Sequence, residues 1–272
     1  MISIITDGTA GLPYREAAAM KVRVLPVLYT LGNRVYHESY LDAGSQDKRM
    51  DFSRGDWMTT HTSVDDFRGA FRHLTREGNQ VLCVLISSRL SGTYSSALNA
   101  AQTVAPERIA VVDSLNTAGG LALLVREASA MNAAGMAMAD IKAALEQRRR
   151  DVGVVFSVND MTALRRSGRL GVVRQSVGNM LNLRPILALE DGIVKSQGVA
   201  RGTLQSIRAL SSAIPDNAKA IILHHQGPDN PPEPLLNAVR ARFPGIDVID
   251  RPVGPSLNIH LGPGFIGAAW IT

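Results

Sequence analysis

Cysteine is nearly missing from this sequence: Cys83 is the only one. No disulfide can form within the chain. Cys83 sits in an apolar run and reads as a small core hydrophobe in a reducing compartment. Aromatic residues are scarce too, with two Trp, five Tyr and six Phe, so no base-stacking platform for nucleic acid is indicated. No apolar run approaches the length of a membrane span. The opening MISIITDG has no basic n-region and does not read as a signal peptide. Charge of one sign is not concentrated either. The net charge is +5, and the longest basic run, Arg148 to Arg150, ends a predicted helix, where cations suit the dipole. These absences lead us to expect a cytoplasmic protein with no nucleic acid partner and no stable membrane insertion.

Several catalytic signatures are absent as well. Asp7-Gly8-Thr9 follows a strand, but the position two before Asp7 is Ile5, so the paired carboxylates of an aspartyl-phosphate enzyme are lacking. No Gly-x-Gly-x-x-Gly follows a predicted strand. No Gly-x-Ser-x-Gly elbow surrounds Ser91. His224 and His225 are adjacent, so on a strand they face opposite sides and cannot grip one metal together. The sequence therefore predicts no catalytic set, no metal and no cofactor.

What is present centres on VLCVLISSRLSGTYSSALNAA, Val81 to Ala101. Val81 to Ile86 reads as a fully buried strand. Ser88 to Thr93 is mostly small and hydroxylated. From Tyr94 the spacing of Ala97, Leu98 and Ala101 predicts a helix. A strand, a small-residue turn and a helix aim free backbone N–H groups at a ligand, and an anion is the natural occupant. The same residues equally fit an ordinary loop with a Ser or Thr helix cap.

Along the chain, strands are predicted at Ile2 to Thr6, Val22 to Tyr29, Val35-Tyr36 and Ile109 to Val112. Leu12 to Met20 reads as a helix. Residues 42–57 are polar and irregular, a candidate mobile surface segment. Ser63 and Asp66 form a capping-box pattern for a helix from Val64 to Arg76, closed by Gly78. Two helical stretches fill Thr117 to Arg150. After Asp151 the pattern changes. Val152 to Val158 is a strand, and Asp160 could cap a short helix ending at Ser167-Gly168. Ile186 to Glu190 and Ile193 to Val199 flank Asp191-Gly192, a two-residue hairpin signal. Helix, strand, helix and strand follow, before the Gly-rich NIHLGPGFIGAAW. We expect an α/β fold in two domains: an N-terminal parallel-sheet α/β domain, 1–151, and a C-terminal α+β domain, 152–272.

Taken in order, six stretches resemble one family. IITDGTAGLP is similar to the opening Asp-Ser-Thr-Ala-x-Leu-Pro of DegV proteins, with Gly8 in the usual Ser position. SSRLSGTYSSA closely resembles their Ser-Ser-x-Leu-Ser-Gly-Thr-Tyr-x-Ser-Ala motif. VVDSLNTAGGLALLV, RRSGRLG, LNLRPILALEDG and NIHLGPGFIGAAW resemble further segments in collinear order. Thr59 to Ser63 departs from the family's Thr-Ser-Gln-Pro-Ser. The resemblance implies a DegV-like fold holding one long-chain fatty acid between the domains. It also implies a carrier, not an enzyme, that presents the carboxylate to a fatty acid kinase. By matching position, the carboxylate contacts would be Thr59 or Thr60, Ser91 and Gly92, and His260, with Arg169 and Arg201 as nearby basic groups. Two rival readings stand beside it: a stand-alone enzyme on a small phosphorylated or acyl substrate using Asp7 and His260, and a lipid-sensing regulatory protein.

Overall fold

The computed structural model describes residues 1–42, 51–52, 55–159, 161–170, 182–226 and 232–272. In chain order, the first part holds β1 (Ile2–Asp7), a 3-10 turn (Gly8–Ala10), α1 (Tyr14–Ala19), β2 (Val22–Leu25), β3 (Val27–Leu31), β4 (Arg34–Glu38) and β5 (Trp57–Thr60). Then come α2 (Val64–Arg76), β6 (Gln80–Leu85), α3 (Thr93–Val104), β7 (Ile109–Asp113), α4 (Ala118–Ala133) and α5 (Met138–Arg148). Next are β8 (Val152–Ser157), α6 (Thr162–Ser167), β9 (Leu183–Glu190), β10 (Ile193–Arg201) and α7 (Gly202–Ala213). The chain ends with β11 (Ala220–His225), α8 (Glu233–Arg242), β12 (Val248–Pro252), α9 (Pro255–Leu261) and β13 (Ile266–Ile271).

β1, β2, β6 and β7 form a parallel sheet in the order β2-β1-β6-β7. The continuous apolar run at Val81 to Leu85 is what a strand covered on both faces needs. Side chains alternate across it. Ile5, Cys83 and Leu85 meet Phe67 and Phe71 of α2 and Ala97 and Ala100 of α3. Ile4, Leu82 and Val84 point the other way, into a core with Leu121 and Leu124 of α4 and Ile141 and Leu145 of α5. The α2 start is the expected capping box, with Ser63 Oγ accepting from Asp66 N at 3.1 Å.

A six-stranded sheet follows, ordered β10-β9-β8-β13-β11-β12; only β11 and β12 run parallel. α7 and α8 bury Ile207, Leu210, Leu235 and Val239 on one face. The other face, through Val154, Phe156, Ile222 and Ala269, shares the core of α4. So α4 is packed between the two sheets, and its stretch Ala118 to Val125 is buried all round for that reason. Gly119 and Gly120 let it approach: a Cβ on Gly119 would come within 2.6 Å of His224 Nε2, and one on Gly120 within 2.8 Å of a Val154 methyl. At the predicted hairpin, Asp191 and Gly192 have φ of 50° and 78°, the left-handed pair a tight hairpin turn requires.

One predicted strand is divided. Val22 to Tyr29 breaks at Pro26, which has no N–H for a ladder and a fixed φ. β2 stays in the parallel sheet, while β3 enters a separate antiparallel sheet, β4-β3-β5. β5 is a strand the sequence pattern did not show. Within the irregular segment, 43–50 and 53–54 lie outside the described residues; Phe52 packs on Trp57 with ring centroids 5.1 Å apart. Asp160 also lies outside them; α6 ends as expected, with Gly168 at φ 69°. NIHLGPGFIGAAW divides into the end of α9, a Gly262-Pro263-Gly264 turn and β13, which sits inside the second sheet. Among the described residues, no helix is long and apolar enough to cross a membrane.

Candidate functional site

The loop after β6 is held from several sides. Asp7, at the end of β1, is buried and accepts from Thr9 N at 3.0 Å, Thr9 Oγ1 at 2.5 Å and Ile86 N at 2.8 Å. Burial pushes its carboxyl up, and those hydrogen bonds oppose the shift. Asp7 thus joins the carboxyl ends of β1 and β6. Ser87 Oγ donates to the hairpin carbonyl of Gly192 at 2.9 Å, and the Ser87 carbonyl accepts from Leu90 N and Ser91 N at 3.0 and 3.2 Å. Ser91 Oγ accepts from Thr93 N at 3.3 Å and lies 2.9 Å from Thr93 Oγ1. Ser91 therefore braces the first residue of α3 and lines a cavity at the same time.

β5 and α9 form the facing wall. Thr59 Oγ1 and His260 Nε2 are 2.7 Å apart, joining residues separated by 201 positions. Burial first, then Arg169 and Arg166, pull the His260 imidazole down to about 4, so it is neutral at pH 7. Its Nδ1 is buried with no hydrogen-bond partner among the described residues. Thr60 and His61, both exposed, follow Thr59 at the cavity edge. The His61 ring lies against Gly92, where an added Cβ would come within 3.2 Å of it. Arg169 is fixed over the loop, with Nε donating to Leu90 O at 3.3 Å and Nη1 to Ser167 O at 2.5 Å.

Thr59, Thr60, Ser91, Gly92, Arg169 and His260 line one cavity of about 1020 Å³, counting its open mouth. Its walls are largely apolar: Leu90 from the loop, Val154 and Phe156 from β8, Leu189 and Val194 from the hairpin, Leu257 and Leu261 from α9. Arg201 is the exception among the expected residues. It stands exposed at the end of β10, its backbone N–H donating to Gln205 Oε1 at 2.8 Å, and it does not line the cavity. Asp7 does not line it either, so the structure does not pair Asp7 with His260.

Two lining histidines, His61 and His224, were not among the expected site residues. His61 sits where the family motif differs, and that departure was its only signal. His224 is buried; its Nε2 accepts from Gly119 N at 2.8 Å, and Nδ1 faces Arg251 O at 3.1 Å. Burial, with Arg251 nearby, lowers its pKa to about 3. Among the described residues, no group of three or more His, Cys, Asp or Glu could hold a metal ion. The glycine at position 8 also has a local reason: a Cβ there would come within 2.2 Å of the Glu38 carbonyl oxygen.

An apolar cavity under a mouth of hydroxyls, a helix start and a neutral histidine suits an amphipathic molecule with a small polar head. Comparison with known proteins narrows this class. A model of the DegV family, described as uncharacterised proteins, matches residues 1–272, and the chain belongs to that family. A DegV domain-containing protein of Halalkalibacterium halodurans is 30% identical, with 99% of this chain and 98% of that protein covered. The crystal structure of a DegV lipid-binding protein from Thermotoga maritima superposes with a TM-score of 0.87 at 26% identity, covering 99% of this chain and 98% of that one. A DegV family protein from Thermus thermophilus, described for its fatty acid binding, superposes with a TM-score of 0.80 at 29% identity, covering 100% and 99%.

Proposed function

We propose that this protein binds one long-chain fatty acid, with the carboxylate at Thr59, Ser91 and His260 and the tail in the apolar cavity. The Thr59–His260 contact of 2.7 Å, set in the wall of that cavity with Ser91, carries this reading. In the Thr59–His260 bond one partner donates to the other, which leaves one proton of the pair, on His260 Nδ1 or on Thr59 Oγ1, for a carboxylate; the Ser91 hydroxyl can supply a second, and charge-assisted bonds of this kind are the strong ones. Thr60 and Gly92 border the same head group, and Arg169 adds positive charge beside it. The tail needs only dry apolar walls. In this reading the ligand lies between an N-terminal domain, 1–151, and a C-terminal domain, 152–272.

The carboxylate would then sit at the mouth, where a second protein can reach it. A fatty acid kinase, implied by the family resemblance, would phosphorylate it there. The chain itself acts as carrier in the cytoplasm, and exposed Arg201 is available to the partner instead of the ligand. The stand-alone enzyme reading loses its acid–base pair, because Asp7 is buried away from the cavity.

Organic extraction of the natively purified protein, followed by mass spectrometry, tests the ligand. A long-chain monocarboxylic acid is expected. Recovery of only nucleotides or sugar phosphates would overturn the proposal. Adding a fatty acid kinase and ATP to the loaded protein should yield acyl phosphate; a loaded protein that no such kinase modifies would remove the presenting role.

A further inference from the structure

Two further wall residues of the cavity carry hydroxyls that a plain hydrocarbon tail would leave unpaired. α9 turns one face to the cavity, through Ser256, Leu257, His260 and Leu261. His260, near the end of the helix, belongs to the mouth. Ser256 is four residues earlier, about 6 Å along the helix axis. Ser256 is 4% exposed, lines the cavity, and its Oγ has no hydrogen-bond partner among the described residues. Its backbone N–H donates to Glu38 Oε2 at 2.6 Å, and Glu38 also packs against Gly8, beside cavity-lining Thr9. A second orphan comes from the start of α4. Thr117 lines the cavity, and its buried Oγ1 has no partner among the described residues. The His224–Gly119 and His224–Arg251 bonds bind the start of α4 to the strand that leads into α9.

A buried hydroxyl without a partner is costly, so a cavity wall that carries two of them favours a ligand that pairs them. We infer that the cavity selects a fatty acid bearing an oxygen substituent, a hydroxyl or oxo group, on its chain, held by Ser256 and Thr117. This rests on the fatty acid reading above and names the substrate class within it. Leu257 and Leu261 lie on the same helix face and supply the apolar surface for the chain itself.

The test uses the full chain, stripped of lipid, in competition against a fluorescent fatty acid. The competitors are octadecanoic acid and a series of its monohydroxylated isomers, with the hydroxyl stepped along the chain. At least one isomer is expected to bind about tenfold tighter than octadecanoic acid, equivalent to about 1.4 kcal/mol. In Ser256→Ala and in Thr117→Val, that preference ratio should fall toward one. The ratio is taken within each variant, so a general loss of affinity or folded fraction does not imitate the effect. If octadecanoic acid binds as well as every isomer, the inference is overturned while fatty acid binding stands. A preference that persists in both variants overturns the assignment to these hydroxyls. Binding of neither acid overturns the fatty acid reading and this inference with it.

Discussion

Ser91, Asp7 and His260 each contribute in a separate way, and each can be tested alone. If Ser91 donates to a carboxylate, Ser91→Ala removes one charge-assisted bond, worth about 1.5–3 kcal/mol. Fatty acid affinity measured by fluorescence displacement should then fall by roughly one to two decades. Unchanged affinity would leave Ser91 as a brace for the start of α3, through its bond to Thr93 N. Asp7→Ala strands the buried N–H groups of Ile86 and Thr9. At about 1–3 kcal/mol for each of the two unpaired groups, denaturant unfolding should show a loss of about 2–6 kcal/mol. His260 has a folded pKa of about 4, below its ordinary 6.5. Between those values the unfolded chain takes up the proton and the folded chain does not. Stability is therefore lost as pH falls from 6.5 toward 4, and His224, at about 3, adds a loss of the same sign. Urea midpoints at pH 7 and pH 5 should show the drop, and it should shrink in His260→Gln. A bound carboxylate anion reverses the local field, so NMR titration of the loaded protein should place the His260 pKa above its empty value.

At the scale of elements, the β9–β10 hairpin is the part that sets the loop carrying Ser91. Its tip places the Gly192 carbonyl on Ser87 Oγ, and Ser87 in turn holds Ser91 N. Gly192 has φ 78°, and an added Cβ would stand 2.3 Å from Ser87 Oγ. Gly192→Ala therefore strains the turn and separates hairpin from loop. The expected cost is about 1–3 kcal/mol by calorimetry, with weaker fatty acid retention because the Ser87–Gly92 loop loses its brace. Retention equal to the parent would show that the loop holds its shape without the hairpin.

For the whole molecule, a fatty acid in the cavity would touch walls from the six-stranded sheet, from the turns that follow β1 and β6, from α9 and from β5. Occupancy should stabilise all of them together. At a free fatty acid concentration 100 times Kd the gain is about 2.7 kcal/mol, read as a raised and concentration-dependent Tm against the delipidated protein. The protein alone, given ATP and magnesium, is expected to make no acyl phosphate. Product in that partner-free reaction, lost in His260→Ala, would make His260 a catalytic base and end the carrier reading.

Local order was legible because its signals are local. Ser63 and Asp66, three residues apart, announced α2; Asp191-Gly192 announced its hairpin; the apolar run before Ser87 announced a buried strand. The motifs in order identified the family and pointed to Thr59 or Thr60, Ser91, Gly92 and His260 before any contact among them was known. Tertiary structure decided the rest. It moved β3 to another sheet at Pro26, left Arg201 outside the cavity, and brought Thr59 to His260 across 201 positions. It also made Ser256 and Thr117 cavity walls. An apolar or hydroxyl side chain has the same periodicity whether it faces packed core or open space, so only the sheet order and the placement of α4 and α9 determine which one it meets.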